Sequence, residues 1–368
     1  MEFIDLKTQR NLISKELDEA ITEVLDGGNF ILGPQINLLE EKLAKFTGSK
    51  YCLTVASGTD ALLMALMSLG IGPGDDVITT PFTWISTVEV IKLLGANPVY
   101  CDINPRTFNM DIKKMEEHLT NKTKAILPVS LFGQCSDMDE IKSIAKKYNL
   151  YVIEDAAQSF GAEYKGKKSC SLTDIGCTSF FPSKPLGCYG DGGAIFTDNE
   201  ELFHKLKAIR VHGASSKNNF DLIGINGRMD TLQAAILLVK FSIYQNEIDL
   251  RQVVATKYSD LIKNLENHQL KDVSIDPPFI ENYNKSVYAQ YTIKTNKRDL
   301  VLDRLSKNNI PFAIHYNKLA NEHPAYKKTE NNLPMAQRLK EEVFSIPMHP
   351  YMSFEDQKKV IYSICGIT

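Results

Sequence analysis

Three segments of the 368-residue sequence carry side chains that could do chemistry together. Residues 57–59 (Ser-Gly-Thr) follow an apolar run and open a helical pattern, so backbone N–H groups, the positive end of a helix dipole and two hydroxyl groups would face an anion. Asp155 ends another apolar run, where a carboxylate could bind a metal ion, accept a proton or pair with a cationic ring nitrogen. Lys184 lies between an apolar run and a glycine-rich loop, where partial burial would lower the pKa of its amine and make it a nucleophile or base.

Each segment alone also has a simpler interpretation: a capped helix start, an acid that caps the next helix, or a solvated surface lysine. Glu154 and Asp155 are neighbours on a predicted strand and point to opposite faces, so we expect them to have different roles. Pyridoxal 5′-phosphate (PLP) requires an anchor for its phosphate, a partner for its protonated ring nitrogen and a lysine that joins its aldehyde. The three segments together therefore favour a PLP site over three unrelated features.

The elements that must position these residues are short strands that alternate with helices between about residues 50 and 200. The alternation predicts an α/β fold with a mostly parallel sheet covered by helices. The predicted strands are 51–55, 76–79, 98–101, 124–129, 151–154, 177–181 and 194–197. Helical spacing of apolar residues predicts crossover helices at 61–69 and 137–148, the second with Asn149 as its stop.

The C-terminal third of the chain has a different pattern. A long helix from residue 231 to about 265, with apolar residues every three or four positions, is expected to link two domains. Predicted strands at 288–295, 311–316 and 344–346, and a helix at 299–308, indicate a smaller α+β domain. We therefore expect a large domain over residues 1–240 and a small domain over 241–368, with the N-terminal segment able to pack on the small one.

Composition limits the class of function. Hydrophobic residues make up 43% and charged residues 24%, and the formal net charge of −3 argues against bulk attraction of nucleic acid. No apolar stretch reaches the length of a membrane span or signal-peptide core, so we expect a cytoplasmic protein without a membrane partner. Seven cysteines without a C-x-x-C pair, and histidines without an H-E-x-x-H motif, predict reduced thiols and no metal site.

Long strings of the sequence resemble the DegT-type sugar-nucleotide aminotransferases, which have the aspartate-aminotransferase-like PLP fold (fold type I). The matching strings are 3–6 (FIDL), 33–34 (GP), 57–62 (SGTDAL), 154–159 (EDAAQS), 190–193 (GDGG) and 346–350 (IPMHP). Two more, 179–194 (SFFPSKPLGCYGDGGA) and 130–135 (SLFGQC), most resemble the branch that aminates C3 of UDP-2-acetamido-2-deoxy-3-keto-glucuronic acid. The resemblance implies a mixed, mostly parallel seven-stranded sheet and a smaller C-terminal α+β domain.

The resemblance also implies how the cofactor is held. Lys184 would bond covalently to PLP, and Asp155 would pair with the pyridinium nitrogen. Gly58, Thr59 and Ser179 would hold the phosphate, Gln158 would reach the ring hydroxyl region, and Trp84 would cover one ring face. Core packing is the alternative role for Trp84, the only tryptophan in the chain.

Other matching positions concern the substrate and a second subunit. Asn226, expected to bind the cofactor, and Arg228, expected to bind the substrate, resemble residues that reach into the partner subunit's active site, which implies a homodimer with two composite sites. His315 and Tyr316 are expected to contact the substrate. Arg228 could bind the carboxylate of a uronic acid with a two-pronged contact, or it could be a structural salt-bridge partner.

The implied activity is transfer of an amino group from L-glutamate, through pyridoxamine phosphate, to the keto group of a nucleotide sugar for lipopolysaccharide O-antigen or a related glycan. One alternative is another 3-keto or 4-keto UDP- or dTDP-sugar. The others are a non-catalytic regulator and a PLP-dependent dehydratase, although dehydratase relatives replace the lysine with histidine. Two positions depart from the pattern: 317–320 (NKLA) stands where relatives have a proline-containing segment, and Ser57 where the uronate branch carries asparagine.

Overall fold

The computed structural model describes residues 1–266, 273–326 and 332–367, and its strands form one large and three small sheets. The strands are β1 (Tyr51–Val55), β2 (Asp76–Thr79), β3 (Asn97–Tyr100), β4 (Thr123–Ile126), β5 (Tyr151–Asp155), β6 (Glu163–Tyr164), β7 (Lys167–Lys168), β8 (Ile175–Ser179), β9 (Gly193–Thr197), β10 (Ala214–Ser216), β11 (Asn219–Phe220), β12 (Ile275–Asp276), β13 (Asn284–Lys285), β14 (Tyr291–Thr295) and β15 (Val343–Ile346).

The α-helices surround these sheets. They are α1 (Leu6–Leu12), α2 (Ser14–Gly27), α3 (Pro34–Thr47), α4 (Gly58–Ser68), α5 (Ser86–Leu93), α6 (Ile112–Met115), α7 (Met138–Tyr148), α8 (Glu200–Ile209), α9 (Thr231–Glu266), α10 (Arg298–Lys307), α11 (Pro334–Glu342) and α12 (Phe354–Cys365). The expected stop of α7 is confirmed, because Asn149 adopts the left-handed conformation (φ 53°) that ends many helices.

The large sheet has the strand order β1-β9-β8-β5-β4-β2-β3. Strand β9 runs antiparallel to both of its neighbours, and the other strand pairs are parallel. The prediction of a mixed, mostly parallel seven-stranded sheet is therefore confirmed. The carboxyl ends of β1, β5 and β8 meet at one edge, which is where open α/β sheets bind ligands.

Apolar side chains cover both faces of this sheet, as alternation along each strand requires. On β5, Val152 packs into a core shared with α3, α7 and α9, and Ile153 packs into a second core shared with α4, α5 and α8. The result is a sheet between two helical layers. Since both sides are filled, polar side chains at the strand ends are directed to the open edge.

A three-stranded sheet, β12-β14-β15, lies in the C-terminal third and has its own apolar core. The long helix α9 was predicted, and it contributes Leu237 and Tyr244 to a core of the large sheet and Val254 and Tyr258 to the core of the small one. The division into domains at 240/241 falls within this helix and stays a prediction.

The predicted strand at 311–316 is wrong. Within this segment only Ala313 pairs with a strand, through two backbone hydrogen bonds to Ser345 on β15. After that single bridge the chain turns away from the sheet and brings His315 and Tyr316 to the edge where the large sheet ends. The apolar pattern of this segment predicts a strand, but in the folded chain tertiary packing leaves most of the segment unpaired.

Candidate active site

A ring of backbone N–H and hydroxyl groups lies at the N-terminus of α4, directly after β1. Ser57 is the N-cap residue, and its hydroxyl accepts a hydrogen bond from the N–H of Asp60 at 3.0 Å. The N–H groups of Gly58 and Thr59 have no acceptor within the helix, because the helix begins there. A Cβ atom at position 58 would lie 2.6 Å from Cβ of Ser179, so only glycine allows the helix start to approach the end of β8 this closely.

Three further hydroxyl groups face the same helix start. Ser179 lies at the end of β8, and the hydroxyls of Thr59 and Ser86 are 2.9 Å apart. Sequence reasoning missed Ser86, although its place in a Ser/Thr-containing segment just after the predicted strand β2 was a usable signal. Together these groups form a cup of donors suited to a phosphate.

Asp155 ends β5 and is 5% exposed. Its Oδ2 accepts a hydrogen bond from the hydroxyl of Thr87 at 2.8 Å, and its Oδ1 accepts one from the N–H of Ala157 at 3.1 Å. Burial raises the pKa of this carboxyl, while the two hydrogen bonds and the positive charge of Lys184 oppose the rise. Among the described residues no cation lies within 4.0 Å of the carboxylate, so Asp155 retains the capacity to pair with a cationic group of a ligand.

Thr87 is a buried supporting residue that the sequence did not reveal. Its hydroxyl oxygen lies 2.9 Å from that of Thr83, so Thr83 can donate to Thr87 while Thr87 donates to Asp155. Both threonines belong to the segment 83–87, in which Trp84 is the residue predicted to line the site. Nothing in the sequence around Thr87 indicates that its hydroxyl contacts Asp155, which is 68 residues further along the chain.

Glu154 points to the other side of the sheet, which agrees with the expectation that the two neighbouring acids differ in role. It is fully buried, and its carboxylate accepts hydrogen bonds from the hydroxyls of Ser130 (2.6 Å) and Ser169 (2.8 Å) and from the N–H of Cys170 (2.7 Å). Burial raises the pKa of this carboxyl, and the three hydrogen bonds oppose the rise. Glu154 therefore organises the loops around β5 and does not face the ligand site.

Lys184 lies in a tight loop after β8. Hydrogen bonds from the N–H of Lys184 to the carbonyl of Phe181, and from the N–H of Cys188 to the carbonyl of Phe180, both 2.8 Å, hold the loop. A Cβ atom at Gly187 would lie 2.5 Å from the carbonyl oxygen of Pro182, so the turn also depends on glycine. Enclosure by protein lowers the pKa of the Lys184 amine, opposed by the negative charge of Asp155. A larger fraction of neutral amine is thereby available as nucleophile or base.

A cavity of about 420 Å³ joins these features. Of the residues predicted for the site, it is lined by Gly58, Thr59, Trp84, Asp155, Gln158, Ser179, Lys184, His315 and Tyr316. Its remaining lining includes Ser57, Thr83, Ser86, Asp191 and Gln290. The structure thus brings the donor cup, the buried acid and the lysine to one space, in which the amine and the acid are close enough to influence each other's pKa.

One wall of the cavity is a chain of polar side chains. The amide oxygen of Gln158 accepts a hydrogen bond from the N–H of Phe132 at 2.8 Å, and its amide nitrogen donates to the hydroxyl of Tyr316 at 3.0 Å. The Tyr316 hydroxyl keeps its own hydrogen for another acceptor. The neighbouring His315 has its Nδ1 3.1 Å from the hydroxyl of Ser345.

Trp84 lies at the rim of the cavity and is 60% exposed, with its ring centroid 6.3 Å from that of Tyr316. So large an exposed indole does not fill the core. Its predicted role as a plate for an aromatic ligand stays a prediction.

Asn226 and Arg228 do not line the cavity. They flank Gly227, whose carbonyl accepts a hydrogen bond from the N–H of Ala56 at 2.9 Å, so this segment runs beside the donor cup. Asn226 is exposed, and the Nε atom of Arg228 has no hydrogen-bond partner within the described residues. Their predicted roles are not fulfilled inside a single chain.

Residues 1–266, 273–326 and 332–367 also bear on metal binding, membrane insertion and disulfide bonds. No group of three or more histidine, cysteine or acidic side chains in these ranges is placed to hold a metal ion. Within the same ranges no helix has the length and apolar character to cross a membrane. All seven cysteines are free thiols, and six of them are buried.

The chain is similar to a known protein family over nearly its whole length. Residues 11–365 match the sequence profile of the DegT/DnrJ/EryC1/StrS aminotransferase family. The UDP-2-acetamido-2-deoxy-3-oxo-D-glucuronate aminotransferase of Pseudomonas aeruginosa is 52% identical over 352 residues, which is 96% of each chain.

Two solved structures are similar along nearly all of the chain. A DegT/DnrJ/EryC1/StrS aminotransferase from Brucella abortus is 39% identical with a TM-score of 0.93, covering 100% of this chain and 99% of its own. NtdA from Bacillus subtilis, solved with bound cofactor PMP, is 32% identical with a TM-score of 0.88, covering 98% of this chain and 83% of its own.

Proposed function

Because this chain belongs to the DegT/DnrJ/EryC1/StrS aminotransferase family, we propose that it transfers an amino group from L-glutamate to C3 of UDP-2-acetamido-2-deoxy-3-keto-glucuronic acid. The expected enzyme class and cofactor are confirmed: the chain is a PLP-dependent aminotransferase. The observation that carries the proposal is Lys184 in one cavity with Asp155 and the donor cup of α4. The 52% identity to the P. aeruginosa enzyme supports the choice of sugar.

The residues present fit PLP. The N–H groups of Gly58 and Thr59 and the nearby hydroxyls suit the phosphate, and Gly58, which has no side chain, lets the start of α4 lie close against Ser179. Asp155 is a buried carboxylate with no cation of the described residues within 4.0 Å, and a protonated ring nitrogen would supply a close one. Lys184 would join the aldehyde. When bound, PLP supplies a carbonyl that can carry the amino group and a ring that can take up an electron pair.

The protein's own groups then hold and move protons. Asp155, oriented by Thr87 and by the N–H of Ala157, favours a proton on the ring nitrogen through its negative charge. The Lys184 amine, with its pKa lowered by enclosure, would be free once the amino donor has taken its place on the aldehyde carbon, and it would then move a proton from the substrate carbon to that former aldehyde carbon. Gln158 and Tyr316, joined by a hydrogen bond of 3.0 Å, form a wall of the same cavity.

The active enzyme is proposed to be a homodimer, because the cavity lacks the cations that its ligands need. The charged side chains that line it within the described residues are Asp155, Asp191 and Lys184, and burial lowers the pKa of His315 to about 4, so that the ring is neutral near pH 7. A cofactor phosphate, a nucleotide diphosphate and a uronate carboxylate would add several negative charges. Arg228 of a second copy is our candidate for the missing charge.

The surface around Arg228 supports this arrangement. Apolar side chains are exposed in two segments that flank it, 30–32 (Phe-Ile-Leu) and 222–223 (Leu-Ile), and Ile223 is 88% exposed. The first segment is joined to the start of α9 by a hydrogen bond from the N–H of Thr231 to the carbonyl of Phe30 at 2.9 Å. Exposed apolar groups of this kind favour a protein interface, and Asn226 would enter the partner's site beside Arg228.

Substrate contact from the same chain is assigned to His315 and Tyr316, which line the cavity. We place the product in the biosynthesis of lipopolysaccharide O-antigen or a related glycan, since a nucleotide-linked amino sugar is an activated sugar donor. We place the reaction in the cytoplasm, and the free cysteines support a reducing compartment.

The substrate test uses the enzyme converted with L-glutamate to its pyridoxamine phosphate form. Keto-sugars with 3-keto and 4-keto groups, linked to UDP or dTDP, are added one at a time, and recovery of the absorbance of lysine-bound PLP is recorded. We expect the fastest recovery with UDP-2-acetamido-2-deoxy-3-keto-glucuronic acid. Faster recovery with a neutral or 4-keto sugar would contradict the proposed substrate.

The role of Arg228 is tested by comparing Arg228→Ala with wild type on the uronate and on the matching neutral 3-keto sugar. The expected loss is at least about tenfold greater for the uronate, since a two-pronged arginine–carboxylate contact is a strong charge-assisted interaction. The matched control is Arg338→Ala, an exposed arginine on α11. Equal losses on both sugars would exclude selection of the carboxylate by Arg228.

A further inference from the structure

His315 is the end of a hydrogen-bonded chain that includes two buried hydroxyl groups. Its Nδ1 lies 3.1 Å from Oγ of Ser345, which in turn lies 3.0 Å from Oγ1 of Thr292. Ser345 and Thr292 are register partners on β15 and β14, and both are almost inaccessible to solvent. Backbone hydrogen bonds in both directions between Ser345 and Ala313, of 2.7 and 3.1 Å, fix the loop that carries the histidine. The imidazole ring therefore has a defined position, with Nδ1 directed at the sheet.

The direction of these hydrogen bonds follows from counting hydrogens. Within the described residues the Thr292 hydroxyl has one hydrogen-bond partner, Ser345, so its hydrogen must go there to be satisfied. Ser345 then accepts from Thr292 and donates its own hydrogen to Nδ1 of His315. In the opposite direction the hydroxyl hydrogen of Thr292 would have no acceptor among the described residues, which is the more costly arrangement. Nδ1 is thus an acceptor, and the ring proton resides on Nε2.

The ring is also uncharged near neutral pH. Burial lowers the pKa of His315 to about 4, and the positive charge of Lys184 acts in the same direction. The phenol ring of Tyr316 lies beside it, with the two ring centroids 5.6 Å apart. Since Nδ1 is occupied by Ser345, the hydrogen-bonding group that His315 can offer to the cavity is a neutral Nε2–H.

We propose that Ser345 and Thr292 are positioning residues that keep His315 in its Nε2–H form, so that it donates a hydrogen bond to an oxygen of the bound keto-sugar. This inference rests on the proposed function and deepens it. A neutral donor can polarise a carbonyl oxygen without giving up its proton, and its pre-set orientation avoids reorganisation during the reaction. His315 would then bind an oxygen atom of the sugar as a neutral donor. The negative charge of the uronate carboxylate would have to be bound by another residue.

The tautomer is tested first, by nitrogen NMR of the PLP-bound enzyme labelled with ¹⁵N-histidine. The spectrum of His315→Gln identifies the His315 signals. We expect an unprotonated Nδ1 and a protonated Nε2 in wild type, and a mixture of tautomers in Ser345→Ala. A wild-type ring that is protonated on Nδ1, or on both nitrogens near pH 7, would overturn the proposal.

The consequence for turnover is tested in the two half-reactions separately. Ser345→Ala should slow the reaction of the pyridoxamine phosphate form with the proposed keto-sugar about tenfold, the effect of losing one oriented hydrogen bond. The reaction of the PLP form with L-glutamate should change by less than about threefold. Thr292→Val should slow the sugar reaction by a smaller factor, and Thr292→Ser, which keeps the hydroxyl, should restore it.

Thr295→Val is the matched control, because Thr295 is a buried threonine on the same strand outside this hydrogen-bonded chain. Equal slowing by Thr292→Ser and Thr292→Val, or an unchanged sugar reaction in Ser345→Ala, would contradict the proposal. If wild type fails to react with the keto-sugar, the proposed function is wrong, and the proposed role of His315 toward the sugar goes with it. The NMR measurement of the tautomer needs no sugar. It therefore tests whether Ser345 and Thr292 set the tautomer of His315 even if the proposed function is wrong.

Discussion

Replacing Thr87 with valine removes one hydrogen bond from the Asp155 carboxylate while keeping the shape of the side chain. The Thr87 hydroxyl donates to Oδ2 at 2.8 Å, and both residues are buried. A hydrogen bond to a charged group contributes about 1.5 to 3 kcal/mol, and its loss from a 5% exposed carboxylate is poorly replaced by water. The ionised form of Asp155 is destabilised by about that amount. Its pairing with a protonated ring nitrogen therefore becomes less favourable.

We therefore expect Thr87→Val to slow the reaction of the PLP form with L-glutamate by about 10- to 100-fold. The rate is measured in a single turnover from the loss of absorbance of lysine-bound PLP, and the affinity for PLP is measured by titrating the apoenzyme. Thr87→Ser keeps the hydroxyl and should stay within about threefold of wild type. Thr83→Val, one hydrogen bond further from Asp155, should have a smaller effect than Thr87→Val.

Two results would contradict the proposed role of the Thr87 hydroxyl. If Thr87→Val reacts with glutamate as fast as wild type, the hydrogen bond does not support the ionised carboxylate. If Thr87→Ser is as slow as Thr87→Val, packing rather than the hydroxyl is responsible. Thermal unfolding of each variant checks that the fold is intact.

Three further predictions concern the framework of the site. Glu154→Ala leaves three buried donors without their acceptor and should lower the free energy of unfolding by about 3 kcal/mol in urea titrations, whereas an unchanged value would contradict the structural role of Glu154. Gly58→Ala places a Cβ atom 2.6 Å from Cβ of Ser179 and should weaken PLP binding at least about tenfold in apoenzyme titrations; unchanged affinity would exclude the cup as the phosphate anchor. Burial lowers the pKa of His349 from 6.5 to about 4, so below pH 6.5 the unfolded chain takes up a proton that the folded chain does not. Stability should therefore fall as the pH drops from 6.5 towards 4, and His349→Asn should reduce that fall in urea titrations near pH 7 and pH 5; an equally steep fall would contradict the shift.

Residues that act through local chain order were accessible from the sequence. Gly58 and Thr59 follow a strand and start a helix, and that order alone specifies backbone donors at a sheet edge. Asp155 and Lys184 each follow an apolar run, and the parallel topology brings the ends of those runs together. The large sheet was likewise predictable, because buried strands leave a clear apolar pattern.

Residues that act through contacts distant in sequence were not accessible. Thr87 meets Asp155 across 68 positions, and Ser345 meets His315 across 30. A single hydroxyl group creates no repeating pattern in the sequence, so its hydrogen-bond partner cannot be predicted from the sequence. The partner is seen only in the folded chain. The mistaken strand at 311–316 has the same origin, because a pattern in one segment cannot show that only Ala313 finds a pairing partner.

The position of Asn226 and Arg228 illustrates a different limit. The resemblance placed them at an active site, and the single chain places them outside the cavity, beside its donor cup. Both statements hold together if a second copy supplies them. Crosslinking or sedimentation of wild type, compared with Ile223→Asp, would show whether the exposed apolar side chain beside this segment contributes to association.

The covalent role of Lys184 is tested most directly by reducing the purified, PLP-loaded enzyme with borohydride and mapping its peptides by mass spectrometry. We expect one pyridoxyl group per chain, attached to Nζ of Lys184, and none attached in Lys184→Ala. A pyridoxyl group on another lysine of the wild-type enzyme, or no attached group in an enzyme that binds PLP, would contradict it.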